Sequence, residues 1–345
     1  MSDKMRGRAM ERELSHFALR GVGKALPQRR LSNEELGRAL RTDPRSIRDR
    51  TGIEQRRIAS TRDTASSLGA QAAVQALERA ELPAEELDLV LLSTYTPDHL
   101  LCPTGPALAH RIGAHRAGAF DINGACSGGV TALMTASALL ASGSFRRILV
   151  VTADVTTKYI RPDDPKTRLV FGDGASALVL ETQGGGGGPA GPFWPTCWVP
   201  TAPAPISSGS RRAGRCTPPM LNGVRHEAAP SVEMDGRAVF RFGVDRGMRV
   251  MDELCERAGI HPTEVSWLIP HQANLRMLTS MIGRSAIPPE RWVINIENYG
   301  NTASTSVPLA LTELVESGRV RSGDVILLVA FGAGLTWSGM ALRVD

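Results

Sequence analysis

The feature that most constrains this chain is that it repeats itself once, at long range. TALMTASALLASG closes at Gly143 and PLALTELVESG closes at Gly318, about 175 residues later, and each reads as a helix ended by Ser-Gly. An apolar run comes before each helix (GAFDI, WVINI) and another follows it (RRILVVTAD, VILLVAFG). A strand–helix–strand unit that recurs at a period far beyond that of a solenoid indicates one α/β module duplicated within the chain.

The flanking segments extend the same order. In the first half, Ser32 and Glu35 of LSNEELGRAL form a capping box opening a short helix. TASSLGAQAAVQALERA reads as a longer helix, LDLVLLST as a strand and PTGPALAHRIG as a helix, and ASALVLE is a strand after the turn chemistry of Gly172-Asp173-Gly174. In the second half, RFGVDRGMRVMDELCERAG and QANLRMLTSMIG are helical, and VSWLI and MALRV are strands. Apolar strands alternating with helices predict mixed sheets covered on both faces. The expected division is residues 1–182, a connection over 183–231, and residues 232–345. The connection, within Thr182 to Pro230, is rich in Gly and Pro and shows neither period, so an irregular loop is expected there. Its glycine run is no phosphate loop, because no strand leads into it and no G-K-[ST] follows.

Composition removes several function classes. Hydrophobic residues make up 42% of the 345 but aromatics only 5%, so the core must be built from Leu, Val, Ile and Ala. The net charge of +5 is spread over scattered arginines, which suits an acidic protein partner and not nucleic acid. MSDKMRGRAMERELSHF has no apolar signal region and no run reaches membrane length, so a cytoplasmic protein is expected. Five cysteines without a C-x-x-C pair argue against both a disulfide framework and a zinc site.

Three positions carry candidate chemistry. In DINGACSGGVTAL, Cys126 sits where a strand gives way to a helix, among small residues that leave room for a substrate. Unpaired amides at the helix start would favour its thiolate. A lone cysteine is more often an inert packed thiol. His271 follows the strand VSWLI, at the sheet end where open α/β sheets place ligands, although a structural histidine is the commoner outcome. Asn301 begins the helix that the repeat matches to the Cys126 helix, and its plain role would be a cap. Two related halves packed about a pseudo-two-fold axis would bring all three junctions to one centre.

GACSGG, PHQANLR, GNTASTSVPLAL and AFGAGLTWSG, with RTGIEQRRI, VFGDGASALVL and MDGRAVFRF, resemble the β-ketoacyl-ACP synthase III (KAS III) enzymes of the thiolase superfamily over nearly the whole chain outside Thr182 to Pro230. The resemblance implies a thiolase-like five-layered αβαβα fold, a homodimer, and Cys126, His271 and Asn301 as catalytic triad. It implies backbone amides of Cys126 and Ala333 as oxyanion hole, and no metal or redox cofactor. An acyl-CoA or acyl-ACP would donate to Cys126, and malonyl-ACP would condense with the acyl-enzyme by decarboxylation. Arg241, Arg276 and Arg284 fall where the acyl carrier protein docks, and Arg50 where the pantetheine–nucleotide part of coenzyme A is contacted.

The sequence departs from this family at the adenine site. Ser46 stands where the initiating enzymes of fatty acid synthesis have a Trp, and Pro165 where they have an Arg, so both faces of the adenine stack are lost. A starter other than acetyl-CoA is the resulting expectation. Two other functions compete: acyl transfer to a natural-product alcohol or amine without C–C bond formation, and a silent partner subunit. Asn301 speaks against the first, since decarboxylation needs the second neutral donor, and Cys126 speaks against the other.

Overall fold

Small residues decide how the first layer packs. The helix α1 (Ala65–Ala80) buries Ala72, Ala73, Ala76 and Ala80 against the strand β1 (Phe17–Ala25). A Cβ on Gly21 or Gly23 of that strand would lie 2.1 Å from the backbone oxygen of Ala76 or Ala72, so helix and strand can approach this closely only because both glycines are bare. Thr64 caps α1 in a reciprocal box with Ser67. The predicted Ser32–Glu35 box forms by half: Ser32 accepts from the Glu35 amide, while the Glu35 carboxylate pairs with Arg29.

The computed structural model describes residues 17–182, 192–199, 215–216, 220–221, 224–225 and 232–344. In the first half, β2 (Leu89–Ser93), β3 (Gly118–Ile122) and β4 (Arg147–Asp154) run parallel, followed by the antiparallel β5 (Gly174–Thr182) and β1, in the order β3-β2-β4-β5-β1. The helix α2 (Gly128–Ala141) lies between β3 and β4 in sequence. The 183–231 connection, expected to be irregular, contains the strand β6 (Pro192–Val199), and its remaining segments lie largely outside the described residues. In the second half come α3 (Gly236–Ala258), β7 (Trp267–Pro270), α4 (Leu275–Ile282), α5 (Ser306–Glu316), β8 (Val325–Gly332) and β9 (Thr336–Val344). Their sheet order, β7-β8-β9-β6, repeats the first half's, with β7 and β8 parallel and the other neighbours antiparallel. A short antiparallel pairing of β1 with β6 joins the two sheets.

Three slabs of apolar core lie between the layers, and a fourth, smaller cluster gathers around Leu36, Ile47 and Phe171. Residues of α2 and α5 (Val130, Leu133, Leu140, Val307, Leu311, Leu314) fill the middle together with the inner faces of both sheets. The helix α1 covers the outer face of the first sheet, and α3 with α4 that of the second. Helix, sheet, helix pair, sheet, helix: these are the five layers of the thiolase-like αβαβα fold.

One predicted strand is missing. WVINI makes only a single bridge, Trp292 to Leu268, at the edge position beyond β7. The side chain of Gln272 takes over the ladder: its amide nitrogen donates to Pro270 O and Val293 O, and its oxygen accepts from Asn295 N. With its polar groups met by a side chain, the segment turns into the short helix Ile296–Tyr299 instead of extending.

The tight seam between β1 and α1 yields a stability test. Gly23→Val should lower the unfolding free energy by about 3 kcal/mol, the upper range for overpacking a close-packed interior. Urea denaturation reads this as a reduced midpoint, and an unchanged midpoint would contradict the seam.

Candidate active site

The two central helices are entered through matching turns. Ala125–Ser127 precedes α2 and Ala303–Thr305 precedes α5, and each turn opens on an alanine in the left-handed region (Ala125 φ 47°, Ala303 φ 54°). The turns therefore equate Cys126 with Ser304, not with Asn301. The helices end in register at Gly143 and Gly318, but α2 has 14 residues and α5 has 11, so the 175-residue offset holds only at their C-termini. Asn301 lies ahead of its turn in extended backbone, bridged to Phe171. The turns pack directly: a Cβ on Gly129 would sit 2.2 Å from Ser304 O, and one on Gly128 2.5 Å from Ser93 Oγ.

Asp154, at the end of β4, fastens this contact. One carboxylate oxygen accepts from Thr94 Oγ1 at 3.1 Å and Tyr95 N at 3.0 Å, and the other from Ser304 N at 3.0 Å and Ser304 Oγ at 2.5 Å. The carboxylate is fully buried, and burial raises its pKa while these hydrogen bonds pull it down.

Cys126 is partly exposed at the rim of the contact. Burial of the sulfur pushes its thiol up to about 12, and the nearby Asp154 charge adds to this. The backbone N–H groups of Ala333 and of Cys126 itself bond to the sulfur and oppose the shift. Burial and the neighbouring carboxylate thus act against the expected thiolate, and the α-helix proper starts two residues later, at Gly128. The two amides converge on the sulfur itself. Gly332 makes that possible: a Cβ there would lie 2.8 Å from the Cys126 Cβ and N. The hydroxyls of Ser127 and Thr336, 2.9 Å apart, share the carbonyls of Gly124 and Ala333 and tie the β8–β9 loop to the cysteine turn.

His271 follows β7 and donates its backbone N–H to Val329 O in β8. Its imidazole is 2% exposed, stands edge-on to Phe331 (centroids 5.4 Å apart), and has Nδ1 2.6 Å from Ser306 Oγ. Burial pulls its pKa down to about 3, so the ring is neutral at physiological pH. Asn301 is 5% exposed; its Oδ1 accepts from Ala303 N at 2.9 Å, which turns the Nδ2 donors the other way. Its backbone is clamped by Val170 O and Gly172 N, where the FGDG and NYGN loops cross at a glycine on each side. At the C-terminal end of β8, Gly332 lies against Cys126 and Phe331 against His271, while the Ala303–Thr305 turn that follows Asn301 packs on the cysteine turn.

The four predicted arginines are exposed and lie on three packed helices. Arg50 ends the helix Pro44–Thr51, its carbonyl accepting from Asn274 Nδ2, the cap of α4 that carries Arg276. Arg241 is on α3, which packs on α4 through Gly243 at Met277 and Gly247 at Met281, and Arg284 follows α4. None of the four has an acidic partner among the described residues. Ser46 lies on the Arg50 helix and Pro165 opens the short helix Pro165–Arg168, and Ile47 packs with Leu169 and Phe171 between them.

Sequence reasoning missed Asp154, Ser304 and Ser306. An acidic residue ending the otherwise apolar RRILVVTAD was the available signal for the first, since a buried carboxylate must be paid for by several donors.

Fold and cluster together define a thiolase-fold enzyme. Two family models match, 3-oxoacyl-[acyl-carrier-protein] synthase III over residues 120–192 and its C-terminal domain over residues 255–344. The chain is 38% identical over 340 residues to the β-ketoacyl-[acyl-carrier-protein] synthase III of Symbiobacterium thermophilum, covering 94% of this chain and 96% of the relative. In structure it is similar to the 3-oxoacyl-[acyl-carrier-protein] synthase III of Aquifex aeolicus (TM-score 0.85, 34% identity, 95% of this chain and 99% of that one). It is also similar to the priming β-ketosynthase of a polyketide pathway (TM-score 0.83, 34% identity, 96% and 98% covered). The chain belongs to the β-ketoacyl-ACP synthase III family: it is an acyltransferase, a condensing enzyme of fatty acid or polyketide initiation.

The raised thiol pKa has a direct readout. Alkylation of Cys126 by iodoacetamide, followed by peptide mass spectrometry, should be slow at pH 7 and rise about tenfold per pH unit to pH 10, tracking the thiolate fraction. A plateau at or below pH 8 would mean that the amides win over burial.

Proposed function

We propose that Cys126, His271 and Asn301 carry out a two-stage condensation. In the first stage the Cys126 sulfur attacks an acyl thioester, the carbonyl oxygen resting on the amides of Cys126 and Ala333. The thioester C–S bond breaks and the thiol proton leaves on the departing thiol. In the second stage malonyl-ACP loses CO2, and the freed electron pair becomes an enolate whose oxygen takes hydrogen bonds from His271 and Asn301. The enolate carbon attacks the acyl carbon, and the Cys126 sulfur departs and is reprotonated from solvent.

The observation that carries this reading is the pair of neutral donors. A neutral ring whose Nδ1 is taken up by Ser306, and a carboxamide whose oxygen is already engaged, each leave an N–H for an oxygen that gains charge. Acyl transfer to an alcohol would instead call for a base. Exposed Arg241, Arg276 and Arg284 around α4 suit an acidic carrier protein, and Arg50 beside them the phosphate-bearing arm of the substrate. With Ser46 and Pro165 in place of the adenine stack, the donor is an acyl group other than acetyl-CoA, larger or carrier-bound.

The test separates the stages. Intact-mass spectrometry should show Cys126 acylated by larger acyl-CoAs or acyl-ACPs in preference to acetyl-CoA. Asn301→Ala should keep that acylation within about threefold while slowing CO2 release from carboxyl-labelled malonyl-ACP about 100-fold, the typical cost of one oxyanion donor. Acylation without any CO2 release by the unaltered enzyme would overturn the condensation.

We further propose that the enzyme works as a cytoplasmic homodimer joined at β3. That strand is a free sheet edge among the described residues, with Phe120 42% exposed, and Leu100 and Leu101 nearby are 77% and 91% exposed. No helix among the described residues is long and apolar enough to cross a membrane. Sedimentation equilibrium at micromolar concentration should give twice the chain mass, dropping toward a monomer for Phe120→Glu; a monomeric parent protein would contradict it.

A further inference from the structure

His271 has two ring nitrogens, and only one can carry the proton in the neutral ring. Nδ1 lies 2.6 Å from Ser306 Oγ, and no described residue bonds to Nε2. The Ser306 hydroxyl has no other hydrogen-bond partner among the described residues, and the residue is 1% exposed. If Nδ1 held the ring proton and donated it to Oγ, the buried serine proton would be left without a protein acceptor among the described residues, which is costly. If the serine donates to Nδ1, the hydroxyl and Nδ1 are both satisfied, and the ring proton must sit on Nε2, where it is free to meet a substrate.

We propose that Ser306 is a positioning residue: its O–H donates to His271 Nδ1, fixes the Nε2–H tautomer, and holds the imidazole as a donor toward the reacting thioester. The assignment follows from the fold. Ser306 is the first residue of α5, directly after the turn that Asp154 grips, so the second half's central helix delivers the hydroxyl while β7 delivers the ring. Phe331 stands perpendicular to the ring on β8 and limits its rotation. A side-chain partner that selects the tautomer of a working histidine is a general device, and losing it costs rate without removing the histidine.

The catalytic consequence rests on the condensation proposed above, but the tautomer does not, and the experiment separates them. In protein carrying 15N-labelled histidine, the His271 resonances, assigned by their loss in His271→Gln, should show a pyridine-like Nδ1 and a protonated Nε2 at pH 7. A protonated Nδ1 in the unaltered protein would overturn the assignment. Ser306→Ala removes only the hydroxyl, and its His271 signals should shift toward a mixture of the two tautomers. CO2 release from malonyl-ACP should fall about 10- to 100-fold in kcat with KM little changed, and acylation of Cys126 should stay within about twofold. Unaltered tautomer and unaltered kcat in Ser306→Ala would also overturn the proposal. A pyridine-like Nδ1 that loses its identity in Ser306→Ala, in an enzyme that releases no CO2, would uphold the serine–histidine pair and reject the condensation.

Discussion

A single buried carboxylate holds the two halves of this enzyme together at the floor of its site. Asp154 comes from the first sheet, and half of its hydrogen-bonding capacity is taken by Ser304 of the second half's turn. A carboxyl group so deep is tolerated only when its polar atoms are met, and Thr94, Tyr95 and Ser304 meet them. The grip fixes the turn from which Asn301 extends one way and Ser306 the other. Burial raises the Cys126 thiol and Asp154 adds to this, so the group that fastens the turns also acts on the sulfur.

The duplication explains the arrangement better than its sequence offset does. Both central helices begin with the same left-handed alanine turn, but the second is three residues shorter, 11 against 14. In the first copy the turn carries Cys126. In the second it presents Ser304 to Asp154, with Asn301 and Ser306 at the flanking positions. Glycines at 128 and 129 let the two turns touch, which near-identical copies with side chains there could not do. Symmetry brings the halves together, and its local breach makes their roles different.

Much of this was legible in the residues. Helix ends at Gly143 and Gly318, the strands GAFDI and RRILVVTAD, and mixed sheets covered on both faces follow from periodicity and the repeat, while the five-layered order came with the family resemblance. What stayed hidden depends on contacts across the fold. FALRGVGKA does not advertise a strand, since glycines and charges mask its alternation, and only Ala72 and Ala76 of α1 explain why bare backbone is wanted there. WVINI has strand composition, but Gln272, distant in sequence, satisfies its backbone. The pKa of Cys126 depends on Asp154, a residue that the cysteine's own neighbourhood does not reveal.

Whether the imidazole and the carboxamide serve one oxygen is best decided by a double-mutant cycle on CO2 release. Groups that act as a unit are strongly non-additive, so His271→Ala combined with Asn301→Ala should be about as slow as the slower single variant, within roughly threefold. Losses that multiply in full would mean two independent sites of action, and the single shared centre inferred for this enzyme would be wrong.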